Sequence, residues 1–171
     1  ILLRGEPGLG KTRIATEFVN EARSRNYAAA HANLSETTDS NISNLTRLVA
    51  NILEFDENIT PAEVHDEDLA RLGMGLGQRS ALIDLLDLEM PATLQTYWNS
   101  LTDDQRQETR RAGLEAIVAH AVRERPVVVV IEDVQWAEPS ILARIGVLSS
   151  IVADYPMMIV LTSRIDEALD D

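Results

Sequence analysis

Cysteine is absent from the 171 residues, which excludes a disulfide framework and a thiolate metal site and suits a reducing compartment. No apolar run reaches the roughly eighteen residues of a membrane-spanning helix, and no charged region precedes the apolar residues at Ile1–Leu3, so neither a span nor a signal peptide is expected. Positive charge is scarce: fifteen basic residues against twenty-eight acidic ones give a formal net charge of −13. Such a field repels phosphate backbones and anionic lipid. Direct binding of nucleic acid or a membrane by this segment is therefore disfavoured, and the cytoplasm is the expected location. Lysine is scarcer still, because fourteen of the fifteen basic residues are arginine and Lys11 is the sole lysine. A length of 171 residues with 45% apolar content suffices for one core of ordinary size.

Lys11 stands in Gly5-Glu6-Pro7-Gly8-Leu9-Gly10-Lys11-Thr12, which fits G-x-x-x-x-G-K-[ST] at every fixed position. Ile1–Leu3 reads as the end of a buried strand. Ile14, Phe18, Val19 and Ala22 recur at helical spacing, which predicts a helix from Thr12 to about Ser24. A phosphate loop requires that strand-to-helix context. Its glycines turn the backbone so that successive N–H groups meet phosphate oxygens, Lys11 brings a mobile charge to the β and γ phosphates, and the Thr12 hydroxyl is a Mg²⁺ ligand.

Tyr27–Ala32 is a second, weakly signalled strand. From about residue 34 to 124 the periodicity is helical, with Ile42, Leu45, Leu48, Val49, Ile52 and Leu53 on one face. An acidic stretch from Glu54 to Asp68 reads as a solvated face. Leu82, Leu85, Leu86 and Leu88 mark a short helix, and Thr102-Asp103-Asp104-Gln105 is a capping box opening a long helix through Ala112, Ile117, Ala121 and Val122. Gly73-Met74-Gly75-Leu76-Gly77 follows no strand and reads as a loose connection. His31, His65 and His120 are too scattered for a metal site.

The β-branched run Val127–Ile131 suits a central strand of a parallel sheet, covered on both faces. It delivers Glu132 and Asp133 to the sheet edge at which ligands bind in open α/β folds. Glu132 would hold Mg²⁺ through water and Asp133 would orient or deprotonate the attacking water, although the two adjacent acids could exchange roles. Trp136 reads as packing. Pro139 opens a helix through Ile141, Leu142, Ile145 and Leu148, and Met157–Leu161 is the last strand, ending in Thr162-Ser163-Arg164. Arg164 has three readings of similar weight: a sensor of the γ-phosphate, a partner of Glu132 or Asp133, or a partner of Asp166 and Glu167. The order of elements implies an α/β fold, a three-layer α/β/α sandwich with a mainly parallel sheet and a helical insertion at about 34–124.

With GEPGLGKTRIATEF, VVVVIEDVQWAEPSIL and IVLTSR in this order, the chain resembles the AAA-like P-loop ATPase modules of the STAND signalling class. It is most similar to those beside class III adenylate or guanylate cyclase domains and in large ATP-binding LuxR-type regulators. The resemblance implies ATP as the nucleotide and Mg²⁺ as cofactor. It also implies a nucleotide site at Gly5, Glu6, Pro7, Gly8, Leu9, Gly10, Lys11, Thr12 and Arg13, metal ligation by Thr12 and Glu132, and catalytic roles for Glu132, Asp133 and the sensor position Arg164. Two departures stand out: Glu132 where aspartate is more usual, which loosens the metal assignment, and Glu138 in place of an aspartate at a helix cap. Neither a helical lid nor a winged helix is found, so the chain is expected to be a fragment of a larger protein.

The function expected on these grounds is a slow, regulatory ATPase switch for an attached or partner output domain, forming a nucleotide-dependent homo-oligomer. The alternatives are an AAA-type replication or remodelling motor, disfavoured by the charge of −13, and a small-molecule kinase, which would need a basic lid. A degenerate interaction module fits poorly with an intact Lys11, Thr12, Glu132 and Asp133.

Overall fold

The β-branched run forms the strand its composition requires: residues Val127–Glu132 are buried without exception. In the computed structural model, which describes residues 1–37, 44, 48–49, 65–86 and 88–165, this strand is β3. It joins β1 (Leu2–Arg4), β2 (Ala28–Asn33) and β4 (Met157–Ser163) in a four-stranded, wholly parallel sheet of order β1-β4-β3-β2. The interior pair β3 and β4 thus separates the first two strands of the chain.

Each face of the sheet carries its own core. Helix α1 (Lys11–Ser24) lays Ala15, Val19 and Ala22 on Val128, Val130 and Val160. The opposite face, with Val127, Val129, Ile131 and Ile159, receives the other helices bounded among the described residues. These are α2 (Asp66–Arg71), α3 (Leu76–Leu85), α4 (Ala92–Ser100), α5 (Asp103–Ala121) and α6 (Pro139–Ser150). The result is the expected α/β/α sandwich. Because β1 is followed by a helix on one face and β3 by a helix on the other, the carboxyl ends of these strands bound an open crevice.

Several predicted boundaries hold for physical reasons. The Thr102 hydroxyl accepts from the Gln105 N–H at 3.3 Å while the Gln105 side chain accepts from the Thr102 N–H at 2.9 Å, the reciprocal bonds of a capping box. Pro139 occupies the first turn of α6, after Glu138 at the N-cap position.

Other expectations need correction. The glycine-rich stretch at 73–77 is not a loose connection throughout: Gly75 caps α3, and Leu76 and Gly77 lie in its first turn, where the Gln78 side chain accepts from the Gly75 N–H at 2.9 Å. Within the acidic stretch, Asp66 is drawn into an ion pair with Arg79 at 3.3 Å and is not a solvated charge. Residues 54–64 lie outside the described residues, as do Ile42, Leu45, Ile52 and Leu53, whereas Leu48 and Val49 are buried. Helix α4, with Leu94 and Trp98 buried one turn apart, has no counterpart among the expected elements. Leu142 is exposed, leaving Ile141, Ile145 and Leu148 as the buried face of α6.

Candidate nucleotide-binding site

Between Arg4 and Lys11 the chain makes a turn that favours glycine at two points. Gly8 and Gly10 have φ of 84° and 82°, where a β-carbon costs about 1–2 kcal/mol. Gly10 is the N-cap of α1, no side chain caps the helix, and its first turn holds no acid. The first intrahelical bond runs from the Ile14 N–H to the Gly10 carbonyl, so the N–H groups of Lys11, Thr12 and Arg13 point out of the helix end. Together with the helix dipole they form an anion site. Lys11 Nζ donates to the carbonyls of Gly5 at 2.7 Å and Glu6 at 2.9 Å, which holds the ammonium over the loop. The Arg13 guanidinium pairs with Glu17 at 2.8 Å on the exposed side of α1. Arg13 can contribute its backbone N–H to an anion at the helix end.

The second half of the site is made across strands. In register, Glu132 is level with Asn33 of β2, and His31 stands two residues earlier on the same face. His31 Nε2 lies 2.7 Å from Glu132 Oε1. Glu132 is 1% exposed, and its other oxygen, Oε2, is buried with no hydrogen-bond partner among the described residues. His31 is thus no incidental histidine but the side chain that steadies a buried carboxylate. Glu132 falls on the face that α1 covers, since Val128 and Val130 share its side of the strand.

Asp133 ends β3 in a left-handed turn, with φ 57° and ψ 46°, a conformation aspartate tolerates better than most residues. Its N–H donates to the hydroxyl of buried Thr162 on β4 at 3.1 Å. Its carboxylate Oδ1 accepts from Gln135 Nε2 at 2.9 Å, and Gln135 Oε1 in turn accepts from the Arg164 N–H at 3.1 Å. The Arg164 guanidinium sits over the Trp136 ring, 5.6 Å from its centroid. Among the described residues Arg164 makes no ion pair with Glu132 or Asp133, and Asp166 and Glu167 lie outside them. Trp136 accordingly does more than pack, because it carries this arginine.

Arg4 is level with Ser163, and Ile131 with Leu161. The phosphate loop therefore leaves the sheet at the same edge as Asp133, two strand spacings or about 10 Å away. The residues fit Mg²⁺ as this loop type uses it. An orphaned, buried carboxylate oxygen at Glu132 and the exposed Thr12 hydroxyl offer hard oxygen donors. Among the described residues no three His, Asp or Glu side chains gather into a cage, the arrangement of an ion held mainly by substrate phosphates and water. Gln135, like His31, is a site residue that sequence reasoning passed over. Its contacts reach two residues back and 29 residues forward, and no spacing pattern signals the longer of these.

Among the described residues no helix is long and apolar enough to cross a membrane. An uncharacterized protein, R02095, from Rhizobium meliloti (strain 1021) is 23% identical over 181 residues. The match takes in 96% of this chain, which spans only 16% of that protein's length. No solved structure matches the chain. The family described as the AAA ATPase domain matches residues 1–160, the span that holds the phosphate loop, Glu132, Asp133 and most of β4. The chain belongs to the AAA ATPase domain family.

Proposed function

We propose that this chain is the ATP-binding and ATP-hydrolysing core of a regulatory switch within a larger protein. In this reading residues 1–171 form the ATPase core and residues 34–124 its helical insertion. The observation that carries the reading is the helix end at Lys11–Arg13, uncapped by any side chain and lacking acid, with the only lysine of the chain folded over it. A triphosphate supplies the missing anion. Thr12 and Glu132 would hold Mg²⁺, which when bound neutralises charge on the β and γ phosphates. Glu132 is presented by β3 and steadied by His31. Asp133 accepts a hydrogen bond from the attacking water and aligns it, and Lys11 draws off charge as the terminal phosphate leaves.

A switch is favoured over a motor because the net charge of −13 repels a nucleic-acid track. The resemblance to modules attached to class III cyclases and LuxR-type regulators supports an attached or partner output domain, a cytoplasmic location and a nucleotide-dependent homo-oligomer. Phosphate release by the natural full-length protein, followed with ATP and with GTP, tests the reading. Slow, Mg²⁺-dependent release from ATP, together with a nucleotide-dependent change in oligomeric state, is the expected result. Turnover stimulated by DNA would favour the motor, and phosphate transfer to a small acceptor would favour the kinase.

A further inference from the structure

Asp133 is held at three points: by a left-handed backbone, by Thr162 at its N–H, and by Gln135 at its carboxylate. A non-glycine residue keeps such a conformation only where its surroundings over-determine it. The backbone contact and the carboxylate contact are different in kind. Thr162 fixes where the residue sits, whereas Gln135 fixes which way Oδ1 faces and so where the second oxygen, Oδ2, is presented. An amide suits this task because it donates through Nε2 and accepts through Oε1 at once. Gln135 uses both, donating to Asp133 at 2.9 Å and accepting from the Arg164 main chain at 3.1 Å. The guanidinium of Arg164 lies on Trp136, the residue after Gln135, so the chain leaving β4 is clamped to the 3₁₀ turn Val134–Trp136 from two sides.

We infer that Gln135 is a positioning residue for Asp133, and that it ties the orientation of that carboxylate to the main chain at Arg164. A displacement of the segment after β4 then reaches Asp133 through one side chain, giving the proposed switch a physical route to its water-orienting group. This inference rests on the ATPase reading for its catalytic consequence, and on geometry alone for the link.

Two variants separate positioning from scaffolding. Gln135→Leu removes both hydrogen bonds at similar size. Gln135→Glu keeps an acceptor for the Arg164 N–H but sets a carboxylate against Asp133. In the full-length protein both should lower kcat for ATP hydrolysis by at least about tenfold, with KM within about twofold of wild type. Wild-type turnover in Gln135→Glu would overturn the inference, since a mere strut survives that change. A readout that needs no hydrolysis tests the link itself: amide exchange at Arg164, measured by mass spectrometry. Asp133→Ala should speed it about fivefold by freeing the glutamine, and Gln135→Leu at least as much. Unchanged exchange at Arg164 in Asp133→Ala would overturn the link even if the protein proved to bind no nucleotide, whereas failure of the ATPase reading alone would appear as absent binding with the exchange response intact.

Discussion

The two halves of the site are built on opposite plans. The phosphate loop is local, exposed and made of backbone: its turn, its helix end and the Lys11 contacts involve residues no more than six apart. The acid edge is long-range, partly buried and made of side chains: His31 reaches Glu132 across 101 positions, and Thr162 reaches Asp133 across 29. A loop of the first kind can be altered with little harm to the sheet beneath it. An edge of the second kind cannot, because the groups proposed for the chemistry also knit β2, β3 and β4 together. Binding and stability should therefore respond separately to a change in the loop's lysine side chain and jointly to changes at the edge.

The largest effect that would sharpen this contrast is on turnover. Asp133→Asn should lower kcat by about 100- to 10,000-fold while ATP affinity stays within a few-fold, measured as phosphate release and nucleotide binding on the same preparation. Equal loss of both would place Asp133 in binding and erase the division of labour. Next is His31→Ala, which strips a buried carboxylate of its partner and should cost about 1–3 kcal/mol of stability in urea unfolding. His31→Gln, which retains a donor near the Nε2 position, should recover most of it. A fully stable His31→Ala protein would mean that the edge is no more integral to the sheet than the loop is.

Smaller effects are expected at positions governed by one local rule. Gly10→Ala forces a β-carbon into a left-handed backbone and should cost about 1–2 kcal/mol, with weaker ATP binding as the turn relaxes. Thr102→Ala, far along the chain from both halves, removes a helix cap and should cost about 1 kcal/mol with no change in nucleotide affinity. A change in affinity there would show that the helical lobe is coupled to the site.

The same contrast explains what could be read from the residues. The phosphate loop and the β3 run were legible because each follows a periodicity or spacing that operates within about ten residues. The capping box at Thr102 was legible for the same reason. His31 and Gln135 were not, because their partners are set by strand order and register, and β2 lies beside β3 only once the whole sheet is assembled. Three histidines spaced far apart make no metal pattern, and nothing in that spacing marks His31 as a hydrogen-bond partner. Arg164 was placed correctly at the end of β4, but its stacking on Trp136 depends on a turn whose shape follows from the left-handed Asp133.

Calorimetric titration of ATP into the protein and into Lys11→Ala, with and without Mg²⁺, tests the central claim most directly. Among the described residues the Lys11 ammonium hydrogen-bonds to two carbonyls of its own loop and to no other element, so the variant should unfold at the same temperature as wild type. The account predicts saturable, Mg²⁺-dependent ATP binding that Lys11→Ala weakens by about 100-fold, the worth of a charge-assisted contact to phosphate. Equal affinities in two equally folded proteins would contradict it.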